Sequence, residues 1–325
     1  MHSVHGEFQS CFSTVPSPVT EEDDFYLTTT EHNDNQVLDA AAKSKVGAAK
    51  VALFTSGFFG LNLASVRDSA TSSTEGVEYL LNVDYSSTVE YFWEHVKPII
   101  VSNDRKGTIA KINDFIFTNR NKLFPGCSCC SVRKAESGLR NLQREISQGT
   151  SWLSSDERFQ KIQSIFKANK FACVRADLTD EKATEEIARN LAEKGLTLDT
   201  IYVSNIREYT ECDDKLALFQ KAMEKLKSVS TKETLVVDTA VRDKGSHSDE
   251  KQMQQIRKGF VDATMQEYFP ASPNSACPKK EGGEEVRTTL RPGGVIVIDP
   301  SDLFAFIEMI SGGRGGVVVI TQGDF

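Results

Sequence analysis

The sequence predicts an α/β protein built on a doubly wound, mostly parallel sheet. Short apolar runs recur along the chain with helical patterns between them, the rhythm of strands joined by crossover helices. Most of those runs are continuous rather than alternating, as strands covered on both faces require. The chain has 325 residues, 39% of them hydrophobic and 26% charged, which suits a globular protein able to bury a real core.

Taken in order, residues 1–45 are polar, with "PSPVTEEDD" and "TTTEHNDN" showing no sustained period. They read as an extension lying over the domain, with one short strand at Phe25–Leu27. The domain proper is expected over 46–325. Its candidate strands are 49–55, 77–83, 171–176, 199–204, 233–239, 294–299 and 316–321.

The intervening helices carry readable ends. "SSTVEYFWEHVKP" (86–98) starts at a serine cap and should stop at Pro98. "SSDERFQKIQSIFKANK" (154–170) sets Phe159, Ile162, Ile165 and Phe166 on one face and has capping-box spacing from Ser154 to Glu157. "TDEKATEEIARNLAEKG" (179–195) ends at Gly195, a residue suited to a left-handed cap. "DDKLALFQKAMEKLK" (213–227) runs from acids to lysines, matching the helix dipole.

Two segments look inserted. Residues 105–150 are a helical stretch broken by "PGCSCCS", and 242–293 should carry a long helix followed by the mobile loop "FPASPNSACPKKEGGEE". No internal repeat is present.

Composition excludes some classes. A formal charge of −8 argues against a general nucleic-acid binder, which needs a basic face. "MHSVHGEFQSCF" lacks the basic start and apolar run of a signal peptide. The most apolar stretch, 51–66, is too short and too polar for a bilayer span. Seven cysteines, an odd number in a long chain, suit a reducing compartment. The cytoplasm is therefore expected, with export by a specialised secretion system as the alternative.

In an open parallel sheet, ligands bind beyond the carboxyl ends of the strands, at the switch in strand order. Four strand ends carry suitable groups. "FTSGFFG" (54–60) supplies Gly57 and Gly60, where the backbone can approach a ligand, while Phe58 and Phe59 fill the space phosphates usually take. That favours a phosphate-free nucleoside cofactor over a dinucleotide; the bland alternative is an ordinary tight turn.

"LLNVDYSS" ends in Asp84, which follows Gly60 by 24 residues, close to the roughly 20 at which nucleotide folds place a ribose-binding acid. It would otherwise cap the next helix. "VRADLTD" ends in Asp177, suited either to an adenine amine or to an Asx turn. "LDTIYVSNIREY" brings Asn205 and Tyr209 to the fourth strand end, the amide able to donate and accept beside an aromatic wall. Arg207 and Glu208 read better as a helix-start loop.

Residues 151–209, with their "SDE" helix, a strand ending in Ala-Asp-Leu and "YVSNIREY", resemble a bacterial group of S-adenosylmethionine methyltransferase-like proteins. "FTSGFFGLNLASV" and "LLNVDYSS" sit where that group's first two strands would be. The resemblance implies the class I, Rossmann-type methyltransferase fold with S-adenosylmethionine as cofactor. It implies cofactor contacts from Ser56, Gly57, Phe58 and Gly60, from Asp84 and Tyr85, from Asp177 and Leu178, and from Ser204. Asn205 and Tyr209 would face the transferred methyl group.

The chain departs from the methyltransferase pattern in lacking Gly-x-Gly in the first loop and Asn-Pro-Pro-aromatic after strand four, so base N-methylation is not implied. Methyl transfer needs alignment more than a strong base, which suits the absence of an acid–base pair. The second functional class is a non-catalytic module that keeps the fold for binding or interaction, and a nicotinamide enzyme is the third. "CSCCS" (127–131) reads as a loop of free thiols without metal, and His247 as an exposed residue beside acids.

Overall fold

Strand after strand along this chain is built from residues with no exposed surface, among them Leu53, Phe54, Leu80, Leu81, Ile201 and Val236. In the computed structural model, which describes residues 8–18, 25–28, 34–67, 76–212, 215–244, 250–260 and 263–269, they form a single sheet. Its strands are β1 (Val51–Phe54), β2 (Tyr79–Asp84), β3 (Phe171–Arg175), β4 (Leu198–Ser204), β5 (Ser230–Lys244) and β6 (Glu250–Lys258). The spatial order is β3-β2-β1-β4-β5-β6. The first five strands are parallel, and β6 runs antiparallel to β5.

Side chains alternate across the sheet, so each face has its own core. Ala52, Phe54, Leu80, Tyr202, Leu235 and Val237 point to one side. That side is covered by α1 (Asp34–Lys43), α2 (Phe59–Val66), α3 (Ser87–Ser102) and α7 (Asp156–Lys167). Val51, Leu53, Leu81, Val83, Ile201 and Val236 point to the other, beneath α8 (Glu181–Glu193) and α10 (Leu216–Lys227). The expected α/β architecture with a mostly parallel sheet is present. Among the described residues, no helix is long and apolar enough to cross a membrane.

The first inserted segment is helical as expected, with α4 (Arg105–Thr118), the single turn α5 (Arg120–Leu123) and α6 (Ser128–Gln148). Ile112, Ile116, Leu123 and Leu142 bury it against the α3 side of the core. Short helices α9 (Ile206–Cys212) and α11 (Met265–Tyr268) follow β4 and β6.

Two tethers bind the N-terminal part to this frame. Gln9 lies along the edge strand β3, its Nε2 donating to the Cys173 carbonyl at 2.9 Å and its Oε1 accepting from the Cys173 amide at 2.8 Å. Phe8, Phe12 and Val15 on either side pack into the second core. Arg67, fully buried, forms a two-bond fork to Asp199 with both distances 2.9 Å. Its remaining N–H groups donate to the carbonyls of Ala41, Ser44 and Lys45. Every guanidinium donor is therefore used, which is what makes a buried charge tolerable.

Several expectations need correction. Phe25–Leu27 is not a strand; it bends across the turn after β1, with Phe25 and Leu27 buried in the first core. Pro98 does not end α3, which continues to Ser102. Pro98 and Glu94 are both exposed, so the carbonyl freed by the missing N–H faces water. The last turn is held from outside, Gln163 donating to the carbonyls of Ile100 and Asn103.

The cap of α7 is Ser155, which accepts from the Arg158 amide at 3.2 Å. Ser154 instead donates to the Ser151 carbonyl. The long helix expected after residue 242 is a strand over 250–258, because β5 extends to Lys244 and its open edge takes β6 as a partner. Tertiary pairing there overrides the helix preference of a Lys- and Gln-rich segment. Asp213, Asp214, His247, the loop at 270–286 and the strands at 294–299 and 316–321 lie outside the described residues.

Candidate functional site

The strand order reverses between β1 and β4, since β2 and β3 lie on one side of β1 and β4 and β5 on the other. That reversal opens a crevice at the carboxyl ends of β1 and β4. Both ends are bent in the same way. Ser56 (φ 60°) and Ser204 (φ 49°) take left-handed backbone conformations, which non-glycine residues adopt at some cost and mostly where a site or turn demands it.

Around Ser56 a polar network has formed. Its amide donates to Asp84 Oδ2 at 2.8 Å, and the Ser86 amide donates to Asp84 Oδ1 at 3.0 Å. The Ser56 carbonyl accepts from Asn82 Nδ2 at 2.9 Å and from Trp93 Nε1 at 3.2 Å. Asp84 thus ties the β2 end to the β1 turn. Burial dominates its titration and pushes its carboxyl up to about 6, against the pull of the Ser86, Ser56 and Tyr85 amides.

Asn82, fully buried within an apolar strand, also accepts from the Cys173 thiol at 3.3 Å. Burial, followed by the charges of Asp84 and Glu90, raises that thiol well above its ordinary value. A groove of about 380 Å³ runs along α3 beside this network, lined by Gln9, Glu90, Tyr91, Trp93, Lys97 and Cys173 among others.

The glycine turn itself is occupied by the chain. The Gly57 and Phe58 amides donate to the carbonyls of Tyr26 and Leu27 at 3.0 and 2.7 Å, and Ser56 Oγ donates to the Tyr26 carbonyl at 2.7 Å. A Cβ on Gly57 would lie 2.3 Å from the Leu27 carbonyl oxygen, so the crossing exists because this residue has no side chain. Gly60 serves packing: a Cβ there would stand 2.1 Å from the Phe54 ring. Phe58 is a core residue, seated among Phe92, Trp93 and Trp152, and does not line the crevice.

Other sequence-selected residues have local duties. Asp177 Oδ1 accepts from both the amide and the hydroxyl of Thr179 at 2.8 Å, the Asx-turn arrangement, while Asp180 caps α8. Leu178 is buried in the second core. The Tyr85 carbonyl accepts from Arg175 Nε at 3.2 Å. Asn205 is half-buried beside Ser204, and Tyr209 is 46% exposed one turn into α9.

Arg207 is buried and paired with Asp238 at 3.3 Å, and Arg257 reaches the same carboxylate at 3.0 Å. Arg207, expected in a helix-start loop, is instead the second residue of α9. The site thus brings Ser56, Gly57, Asp84 and Tyr85 together on one side of the crevice and Ser204 and Asn205 on the other. Asn82, Trp93 and the Tyr26–Leu27 crossing were missed. An asparagine inside "YLLNVD" was the available signal, because a polar side chain buried in a strand needs a partner.

The cysteine segment differs from a loop of free thiols. Cys127 and Cys130 are joined by a disulfide, and the segment opens α6, with Cys127 as its N-cap. Cys129 remains a free, exposed thiol.

Residues 127–268 match the profile of a domain of unknown function, DUF7790. The match covers less than half of the chain and runs from α6 through α11, taking in Asp177, Asn205 and Tyr209 but not Ser56, Gly57 or Asp84. A search of the curated proteins returned no match.

Proposed function

We propose that the chain binds S-adenosylmethionine at the carboxyl edge of β1, β2 and β4 and transfers its methyl group to an acceptor. One observation carries the reading: Asp84, at the end of β2, stands against the β1 turn beside the reversal in strand order. A nucleoside ribose needs its acid at that position. The antiparallel strand added beyond β5 is also consistent with the class I methyltransferase arrangement. In this reading Asp84 accepts from the ribose hydroxyls, and Asn205 and Tyr209 orient the acceptor.

The test is calorimetry with S-adenosylmethionine and S-adenosylhomocysteine. Charge-assisted hydrogen bonds are worth about 1.5–3 kcal/mol each, so Asp84→Ala should weaken binding at least about tenfold. Affinity should also fall below pH 6, where the Asp84 carboxyl takes up its proton. Asn205→Ala should spare affinity and lower turnover. Because Asp84 also holds the Ser56 and Ser86 amides, circular dichroism must accompany the measurement. Failure of the wild-type protein to bind either compound at millimolar concentration would sink the proposal.

The second reading is a non-catalytic binding or interaction module. It draws on the Tyr26 and Leu27 carbonyls, which take the two amides a ligand would use at the glycine turn, and on Phe58 filling the core beneath them. Absence of binding in the same calorimetry is the result it requires.

A further inference from the structure

The cysteines at the start of α6 form a cluster of their own. Cys127 and Cys130 stand at Cys-x-x-Cys spacing and are bonded to each other. Cys127 Sγ accepts from the Cys130 amide at 3.1 Å, and the Cys129 sulfur lies 2.9 Å from it. All three residues are exposed at the head of a 21-residue helix. An amide donor and a helix N-terminus both favour the thiolate over the thiol, and exposure lets another sulfur reach it.

We propose that Cys127 and Cys130 form a reversible thiol–disulfide exchange centre that reacts with small disulfides. In the reduced protein the Cys127 thiolate attacks one sulfur of the disulfide R–S–S–R, forming a mixed disulfide and releasing RS⁻. The Cys130 thiolate then attacks Cys127 Sγ, closing the Cys127–Cys130 bond and releasing the second RS⁻. Two protein thiols are oxidised, one external disulfide is reduced to two thiols, and the protons of Cys127 and Cys130 go to solvent or to the leaving thiolates. Excess external thiol runs the sequence backwards. Cys129 is the neighbour left out of the pair. It stays a thiol through the cycle.

The probe is glutathione disulfide added to the full chain after reduction and removal of reductant, followed by alkylation and peptide mass mapping. Wild-type protein should close Cys127–Cys130 and lose that bond again with excess reduced glutathione. Cys130→Ser should stall with glutathione on Cys127, labelled at least about tenfold faster than Cys11 or Cys173, as selective thiolate reactivity requires. Cys127→Ser keeps a capping hydroxyl for α6 and should abolish the reaction, whereas Cys129→Ser should leave it intact. The proposal is overturned if the pair stays reduced, if labelling is spread evenly over the cysteines, if Cys129→Ser blocks closure, or if bound zinc in the reduced protein shields all three thiols.

Discussion

Glu145 offers a test of how this core balances charge. It is fully buried on α6, where Oε2 accepts from Asn62 Nδ2 at 3.0 Å while Asn62 Oδ1 accepts from the Trp152 amide at 2.8 Å. Burial above all, with the Asp34 carboxylate adding to it, outweighs the hydrogen bonds from Asn62 and Thr28 and the Arg144 charge. The carboxyl is lifted from 4.5 to about 7. A carboxyl raised on folding is held protonated by the native state, so it costs nothing below its unfolded pKa. It costs most above its folded one, and the penalty grows from about pH 4.5 to about pH 7.

At about 1.4 kcal/mol per pH unit, the full penalty at pH 8 approaches about 3 kcal/mol. Glu145→Gln keeps an oxygen for Asn62 and removes the ionisation. The variant should therefore gain about 1–3 kcal/mol over wild type at pH 8, and the gain should vanish below about pH 4. Urea unfolding of both proteins across that range reads the difference directly. A variant less stable than wild type at pH 8, or a gain that does not change with pH, would show that Glu145 is not the buried acid described.

Two further substitutions probe packing. Arg67→Ala leaves Asp199 buried and unpaired and frees the Ala41, Ser44 and Lys45 carbonyls, so it should cost about 3–5 kcal/mol in urea unfolding; replacing both partners with apolar residues should recover much of that loss. Gly60→Ala drives a methyl into the Phe54 ring and should cost about 1–3 kcal/mol, lowering the thermal midpoint without altering the Cys127–Cys130 chemistry.

The parts of this fold that were legible are those whose cause is local. Continuous apolar runs mark β1, β2 and β4 because burial on both faces admits little else. Ser86 was readable as a cap because its hydroxyl serves the Thr88 amide two residues on. What escaped depends on distant partners. Pro98 sits inside a helix because Gln163, 60 residues or more away, holds its last turn. Residues 250–258 are extended because β5 stands beside them.

The site divides in the same way. Asp84 was selected by its position at a strand end, a rule of topology, whereas Ser56 and Ser204 came only with the methyltransferase resemblance. Asp177 proved to be occupied by Thr179, a local alternative the sequence also allowed. The Tyr26–Leu27 crossing had no local mark, because carbonyls carry no side-chain identity. Only the bare Gly57 hinted that another backbone comes close.

Gln9 on the edge strand bears on how chains meet. An exposed strand edge is a template, since each unpaired amide and carbonyl invites a strand from another molecule. A single glutamine amide offers one donor and one acceptor at the spacing a neighbouring peptide would. At Cys173 it satisfies both backbone groups. To that extent the sheet is terminated by a side chain rather than by a further strand, and a second molecule extending it on this side must first displace Gln9.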